Sequence, residues 1–108
     1  MTDFVSTSIL MNRIGETPSL QIIDVRRRAA YEAATHVISG ATWASPDDVD
    51  VWKASLDKQR PTVVYCAHGH AVSQGCANTL AQAGFDVHYL EGGFEKWSAE
   101  GKPVQSKF

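Results

Sequence analysis

The chain of 108 residues is short of several features, and each shortage removes a class of function. It has no basic excess: 10 Lys and Arg stand against 12 Asp and Glu, a net charge of -2. Proteins that grip nucleic acid or an anionic bilayer present a basic face, so neither is expected as a partner. No apolar run approaches the ~20 residues of a membrane-spanning helix. Met1-Thr2-Asp3-Phe4 has no basic stretch leading into an apolar one, so no signal peptide is expected and the expected compartment is the cytoplasm. The only cysteines are Cys66 and Cys76, which read as thiols rather than as a structural disulfide. Cys66, His68, His70 and Cys76 imitate a ligand set. However, no Cys-x-x-Cys pair occurs and two of the four share a tight loop, so no metal or other cofactor is expected. Repeats, low-complexity segments and linkers are also missing, and residues 1–108 read as one domain.

What is present is an ordinary globular balance, 44% hydrophobic and 20% charged, with one unusual stretch. Thr62-Val63-Val64-Tyr65-Cys66-Ala67-His68-Gly69-His70-Ala71-Val72-Ser73 reads as a buried strand ending in a cysteine, then a short loop, then a helix start. A loop of this kind turns its N–H groups inward, and the helix behind adds the positive end of its dipole. A thiol with a pKa near 8.5 is only ~3% thiolate at pH 7, whereas one near 6 is ~90% thiolate. Cys66 is therefore placed to become a nucleophile.

Strand and helix signals alternate along the chain. Ser6-Thr7-Ser8 caps a helix over 9–14 that Gly15 is expected to stop. Leu20–Val25 is a strand apolar on both faces, and Arg26–Ala34 has helical composition. Ile38-Ser39-Gly40-Ala41 is a turn before a very short strand at Thr42-Trp43. Ser45-Pro46-Asp47-Asp48 opens a helix whose Val49, Trp52 and Leu56 share a face. Val72, Cys76 and Leu80 form the buried stripe of the helix after the loop, ending at Gly84. Val87, Tyr89 and Leu90 make a further strand, and Gly92-Gly93 leads into a last helix at Phe94–Trp97. The expected fold is α/β, a mainly parallel sheet of about four or five strands with helices on both faces. In such sheets ligands sit beyond the carboxyl ends of the strands, where Asp24, Cys66 and Glu91-Gly92 all lie.

These residues resemble the single-domain rhodanese-like sulfurtransferases along nearly the whole chain. Asp24-Val25-Arg26 matches that family's early strand end, and Ile38-Ser39-Gly40-Ala41 its Ile-Pro-Gly-Ala turn. Val63-Val64-Tyr65-Cys66-x-x-Gly69 matches the active-site strand and loop. Leu90-Glu91-Gly92-Gly93-Phe94-x-x-Trp97 and Gly101-Lys102-Pro103-Val104 match the C-terminal signature. The resemblance implies that Cys66 takes a sulfane sulfur from a donor (thiosulfate, a polysulfide or a persulfide), carries it as a persulfide, and passes it to cyanide or a thiol. The acceptor thiol can belong to a protein. Ala67, His68, Gly69, His70, Ala71, Val72 and Ser73 are the implied substrate-binding residues, with Asp24 and Arg26 supporting them.

Three departures from the family pattern stand out. Ala71-Val72 occupies the place of the loop cation, which predicts weak use of thiosulfate and leaves His68 and His70 as substitutes. Cys66 to Gly84 is one residue longer than usual. A longer loop occurs in the related Cdc25-like phosphatases and arsenate reductases, the alternative chemistry, but they clamp their oxyanion with a loop arginine that is missing here. Val37 stands where a histidine precedes the Ile-x-Gly-Ala turn, with His36 one place earlier. A module that only binds a partner or senses redox state is the remaining alternative, and the retained cysteine speaks against it. The plainer assignments are packing for Cys76, a solvated and partly ion-paired run for Arg26-Arg27-Arg28, and for Asp24 either ordering of the neighbouring backbone or pairing with Arg26.

Overall fold

The computed structural model describes residues 3–108. Its centre is a five-stranded, wholly parallel sheet in the order β1-β6-β5-β2-β4. The strands are β1 (Phe4–Val5), β2 (Gln21–Asp24), β4 (Thr42–Trp43), β5 (Thr62–Tyr65) and β6 (Val87–Leu90). Five helices connect them: α1 (Thr7–Glu16), α2 (Arg28–Ala33), α3 (Val49–Trp52), α4 (Ala71–Gln82) and α5 (Gly93–Ala99). A separate antiparallel pair, β3 (His36–Ile38) with β7 (Val104–Ser106), closes one side.

Alternation along β5 divides the core into two layers. Val63 and Tyr65 face a cluster with Leu10, Ile22, Leu90 and Trp97. Val64 and the following Cys66 face the other cluster, with Ile23, Val25, Cys76, Ala77 and Leu80. Burying each of these aliphatic side chains contributes roughly 1.5–3 kcal/mol, so both faces of the central strands are fixed and the register cannot slip. Cys66 is thus carried to the carboxyl end of the central strand, on the α4 face, by the same two-residue period that buries Val64.

Several local details differ from the sequence reading. Gly15 does not stop α1. It stays helical, and Thr17 closes the helix with its N–H on Arg13 O at 2.8 Å. The helix expected from Arg26 begins at Arg28, because Arg26 turns back to bond Asp24. The helix after Ser45 is a single α turn flanked by 3-10 turns at Pro46–Asp48 and Lys53–Ser55. Val49, Trp52 and Leu56 still pack together on the core. The strands β1, β3 and β7 have no counterpart among the sequence expectations, since two or three residues leave no periodic signal.

Candidate active site

Cys66 follows the last residue of β5 and is only 6% exposed. The loop after it runs to His70, where α4 begins. Ser73, in the first turn of α4 and fully buried, holds its Oγ 3.2 Å from Cys66 Sγ. Burial of Cys66 pushes its pKa up. The Ser73 hydroxyl and the N–H groups of Ser73, His68 and Gly69 draw it down further, and the net result lies below the ordinary thiol value. Cys76 behaves oppositely. Burial, with Cys66 and Asp47 nearby, pushes it up to about 11, so one helix carries both Ser73, which lowers the Cys66 pKa, and a thiol whose own pKa is raised.

The loop is strapped from behind by the start of α5. Phe94 N–H donates to Cys66 O at 2.9 Å and Glu95 N–H to Ala67 O at 3.0 Å. The approach is so close that a Cβ on Gly93, which has φ +61°, would meet Cys66 O at 2.5 Å. Gly69 has φ +75°, and a Cβ there would lie 2.7 Å from both Gly92 N and Leu90 O. Side chains cannot fit where these two turns touch. The Gly-Gly pair and the loop glycine are therefore one device for aiming N–H groups at sulfur.

The opposite wall comes from the end of β2. Asp24 is fully buried and takes three bonds from the Arg26 guanidinium, the shortest 2.7 Å, and a fourth from Arg26 N–H. Arg26 also donates to His36 O at 2.9 Å and lies over the Phe94 ring at 4.4 Å. This pins the turn that leads into α2 and sends the next residue outward. A cavity of about 220 Å³ results, lined by Cys66, Ala67, His68, His70, Ala71 and Val72 of the loop and by Arg26, Arg27 and Ala30 opposite.

Of the residues expected at the site, Ala67, His68, His70, Ala71 and Val72 line this cavity and Arg26 borders it. Gly69 and Ser73 stand behind the sulfur rather than on the wall, and Asp24 acts through Arg26. His68 and His70 do not act as a free pair of cations: His68 Nδ1 is 2.7 Å from Glu95 Oε2. The residue missed is Arg27. It lines the cavity at Cys66 and a neighbouring one of about 290 Å³ at Cys76, and its guanidinium has no bonded partner among the described residues. Three arginines in a row look alike in sequence. Only the single buried acid, Asp24, decides which one is consumed and which reaches the cavity.

Residues 6–100 match the family described as the rhodanese-like domain. The chain is 42% identical over 77 residues to the thiosulfate sulfurtransferase GlpE of Pseudomonas fluorescens (strain Pf0-1), covering 70% of this chain and 68% of that protein. The rhodanese-like domain of the Anabaena sp. Alr3790 protein superposes with TM-score 0.82 at 33% identity, covering 98% of this chain and 80% of that one. A rhodanese-related protein from Thermoplasma volcanium has TM-score 0.82 at 23% identity, over 95% and 97% of the two chains, and shares the fold. The chain belongs to the rhodanese-like domain family. Its class is that of the rhodanese-like sulfurtransferases. No helix among the described residues is long and apolar enough to cross a membrane.

Proposed function

We propose that Cys66 is the sulfur-carrying nucleophile, and that it accepts sulfane sulfur from an anionic donor drawn into the cavity by Arg27. The observation that carries this reading is the Cys66 Sγ held at 3.2 Å by Ser73 within converging N–H groups, in a cavity that Arg27 also lines. The thiolate attacks the outer sulfur of the donor. A new S–S bond forms, the donor's own bond to that sulfur breaks, and its electron pair leaves with the remainder: sulfite from thiosulfate, a thiolate from an organic persulfide. The persulfide anion left on Cys66 inherits the N–H groups that held the thiolate. In the second half, a nucleophilic acceptor takes the outer sulfur and the electron pair returns to Sγ.

The cavity walls support one class of donor over another. Ala30, Ala67, Ala71 and Val72 form an apolar stretch beside Arg26, Arg27, His68 and His70, and this mixed wall favours a soft, weakly hydrated persulfide or polysulfide over the strongly hydrated thiosulfate dianion. Thiosulfate, named for the curated relative, remains a donor through Arg27 and the loop N–H groups. A phosphatase reading lacks the arginine inside the loop that would clamp three equatorial oxygens, since Cys66 to Ser73 contains no Arg or Lys.

The test is steady-state transfer to cyanide from thiosulfate and from an organic persulfide, followed as thiocyanate. Both donors should turn over, the persulfide more efficiently, and Cys66→Ser should abolish both. Hydrolysis of an aryl phosphate with no thiocyanate from either donor would overturn the proposal.

A further inference from the structure

Two cavities meet at the His68 ring. The first contains Cys66; the second, of about 450 Å³, opens on the other side between α2 and α5 and is lined by Phe94, Glu95, Ser98 and Ala99. Arg26, Ala30, Ala67 and His68 belong to both walls, so the ring stands at the junction. Its orientation is set from α5, because Nδ1 lies 2.7 Å from Glu95 Oε2. In the neutral ring, a carboxylate there places the single ring proton on Nδ1 and leaves Nε2 with the lone pair. A ring held in one tautomer by an acid, beside a reacting sulfur, is the arrangement of a general base.

We propose that the second cavity receives the acceptor, that the acceptor is a thiol of ordinary acidity, and that His68 removes its proton while Glu95 positions the ring. This rests on the persulfide reading of Cys66. The thiol proton passes to Nε2. The persulfide anion takes a proton from solvent to become Cys66–S–SH, and the resulting acceptor thiolate attacks its outer sulfur. The acceptor–sulfur bond forms, the Sγ–S bond breaks, and its electron pair stays on Sγ. The products are the acceptor hydropersulfide and the Cys66 thiolate, which returns to Ser73 and the loop N–H groups, and the imidazolium gives its proton to solvent. Sulfane sulfur changes carrier, and no oxidant or reductant is consumed. The charged and titratable groups that surround the ring are Glu95 from α5, His70 from its own loop with ring centroids 6.3 Å apart, and Arg26, Arg27 and Cys66 on the cavity walls.

The magnitude available is bounded by the acceptor. A thiol with a pKa near 8.5 is about one-tenth thiolate at pH 7.5 and about nine-tenths at pH 9.5. A general base therefore gains at most about tenfold at the lower pH and almost nothing at the higher.

The test loads the whole protein with sulfur, removes the donor, and measures single-turnover unloading by glutathione and by sulfite. Sulfite attacks through a lone pair with no thiol proton to lose. In His68→Asn and in Glu95→Gln, the ratio of the glutathione rate to the sulfite rate at about pH 7.5 should fall by about 3- to 10-fold, and the deficit should vanish near pH 9.5. Both side chains are largely exposed, so neither substitution threatens the core. An unchanged ratio overturns the proposal, as does a deficit that persists at the higher pH, which belongs to binding or structure. A wild-type protein that takes up no sulfur removes the persulfide reading and this proposal together, whereas loading with an unchanged ratio removes this proposal alone.

Discussion

Ser73 Oγ lies 3.2 Å from Cys66 Sγ, with both side chains buried and His70 O at 3.5 Å on the other side of the hydroxyl. The hydroxyl has one proton and two uses for it. Facing a thiol it donates to the His70 carbonyl and accepts from Sγ–H; facing a thiolate it donates to sulfur. Ser73 is thus a rotor that follows the charge on Cys66 without moving a heavy atom.

Ser73→Ala should raise the Cys66 pKa. A hydrogen bond to a charged group is worth about 1.5–3 kcal/mol, and one pKa unit is about 1.4 kcal/mol, so the expected shift is upward by about one to two units. The Cys66 thiolate is present above its depressed pKa and lost as pH falls through it, so the variant loses reactivity first at neutral pH and regains it in alkali. The pH dependence of iodoacetamide alkylation reads this directly. In the wild-type protein only Cys66 should react near pH 7, because Cys76 is buried and pushed up to about 11.

Removing the acid of the Asp24–Arg26 pair should cost much of the protein's stability. Asp24 is fully buried and Arg26 is 4% exposed, so Asp24→Ala leaves a cation without its partner inside the protein. Loss of one member of such a pair costs about 3–5 kcal/mol, a large share of a small domain's total. Urea denaturation followed by tryptophan fluorescence should show the unfolding free energy fall by that amount, with the midpoint moving to lower urea in proportion.

Much of this arrangement can be read from sequence because it depends on period and punctuation. The two-residue alternation of Val63, Val64, Tyr65 and Cys66 is enough to place the cysteine on the α4 face. The stripe Val72, Cys76, Leu80 is enough to place α4 over it. Side-chain pairing across distant segments is another matter. That His68 meets Glu95, 27 positions on, follows from the Gly92–Gly93 strap bringing α5 against the loop, and nothing local to either residue announces it. Gly15 departs from expectation for a related reason: a glycine stops a helix through a left-handed turn, and here Gly15 stays helical while Thr17 ends the helix with φ -125°.

Gly93→Ala should damage the site more than the fold. Its backbone has φ +61°, and the added Cβ would meet Cys66 O and Ala67 C and O within 2.7 Å. The left-handed conformation alone costs about 1–3 kcal/mol with a side chain, and the strap must also retreat from the loop. Sulfur transfer should fall by at least an order of magnitude, with the Cys66 titration moving upward as its N–H groups lose their aim. Circular dichroism should remain that of an α/β fold.

Arg27→Ala should weaken donor use in proportion to donor charge. The KM for thiosulfate should rise more than the KM for a monoanionic organic persulfide, with kcat little changed. Added salt should shrink the difference between wild type and variant, because exposed charges are screened over about 8–10 Å at physiological ionic strength. Equal KM effects on both donors would remove Arg27 from anion binding.

The central claim is that Cys66 carries sulfur, and intact mass measures it most directly. The protein is incubated with an organic persulfide or thiosulfate, desalted, and weighed without reductant. The account predicts a single added sulfur, a gain of ~32 Da, that is absent in Cys66→Ala, present in Cys76→Ala, and removed by cyanide or a thiol. No added mass with any sulfane donor, or an adduct that survives in Cys66→Ala, would contradict it.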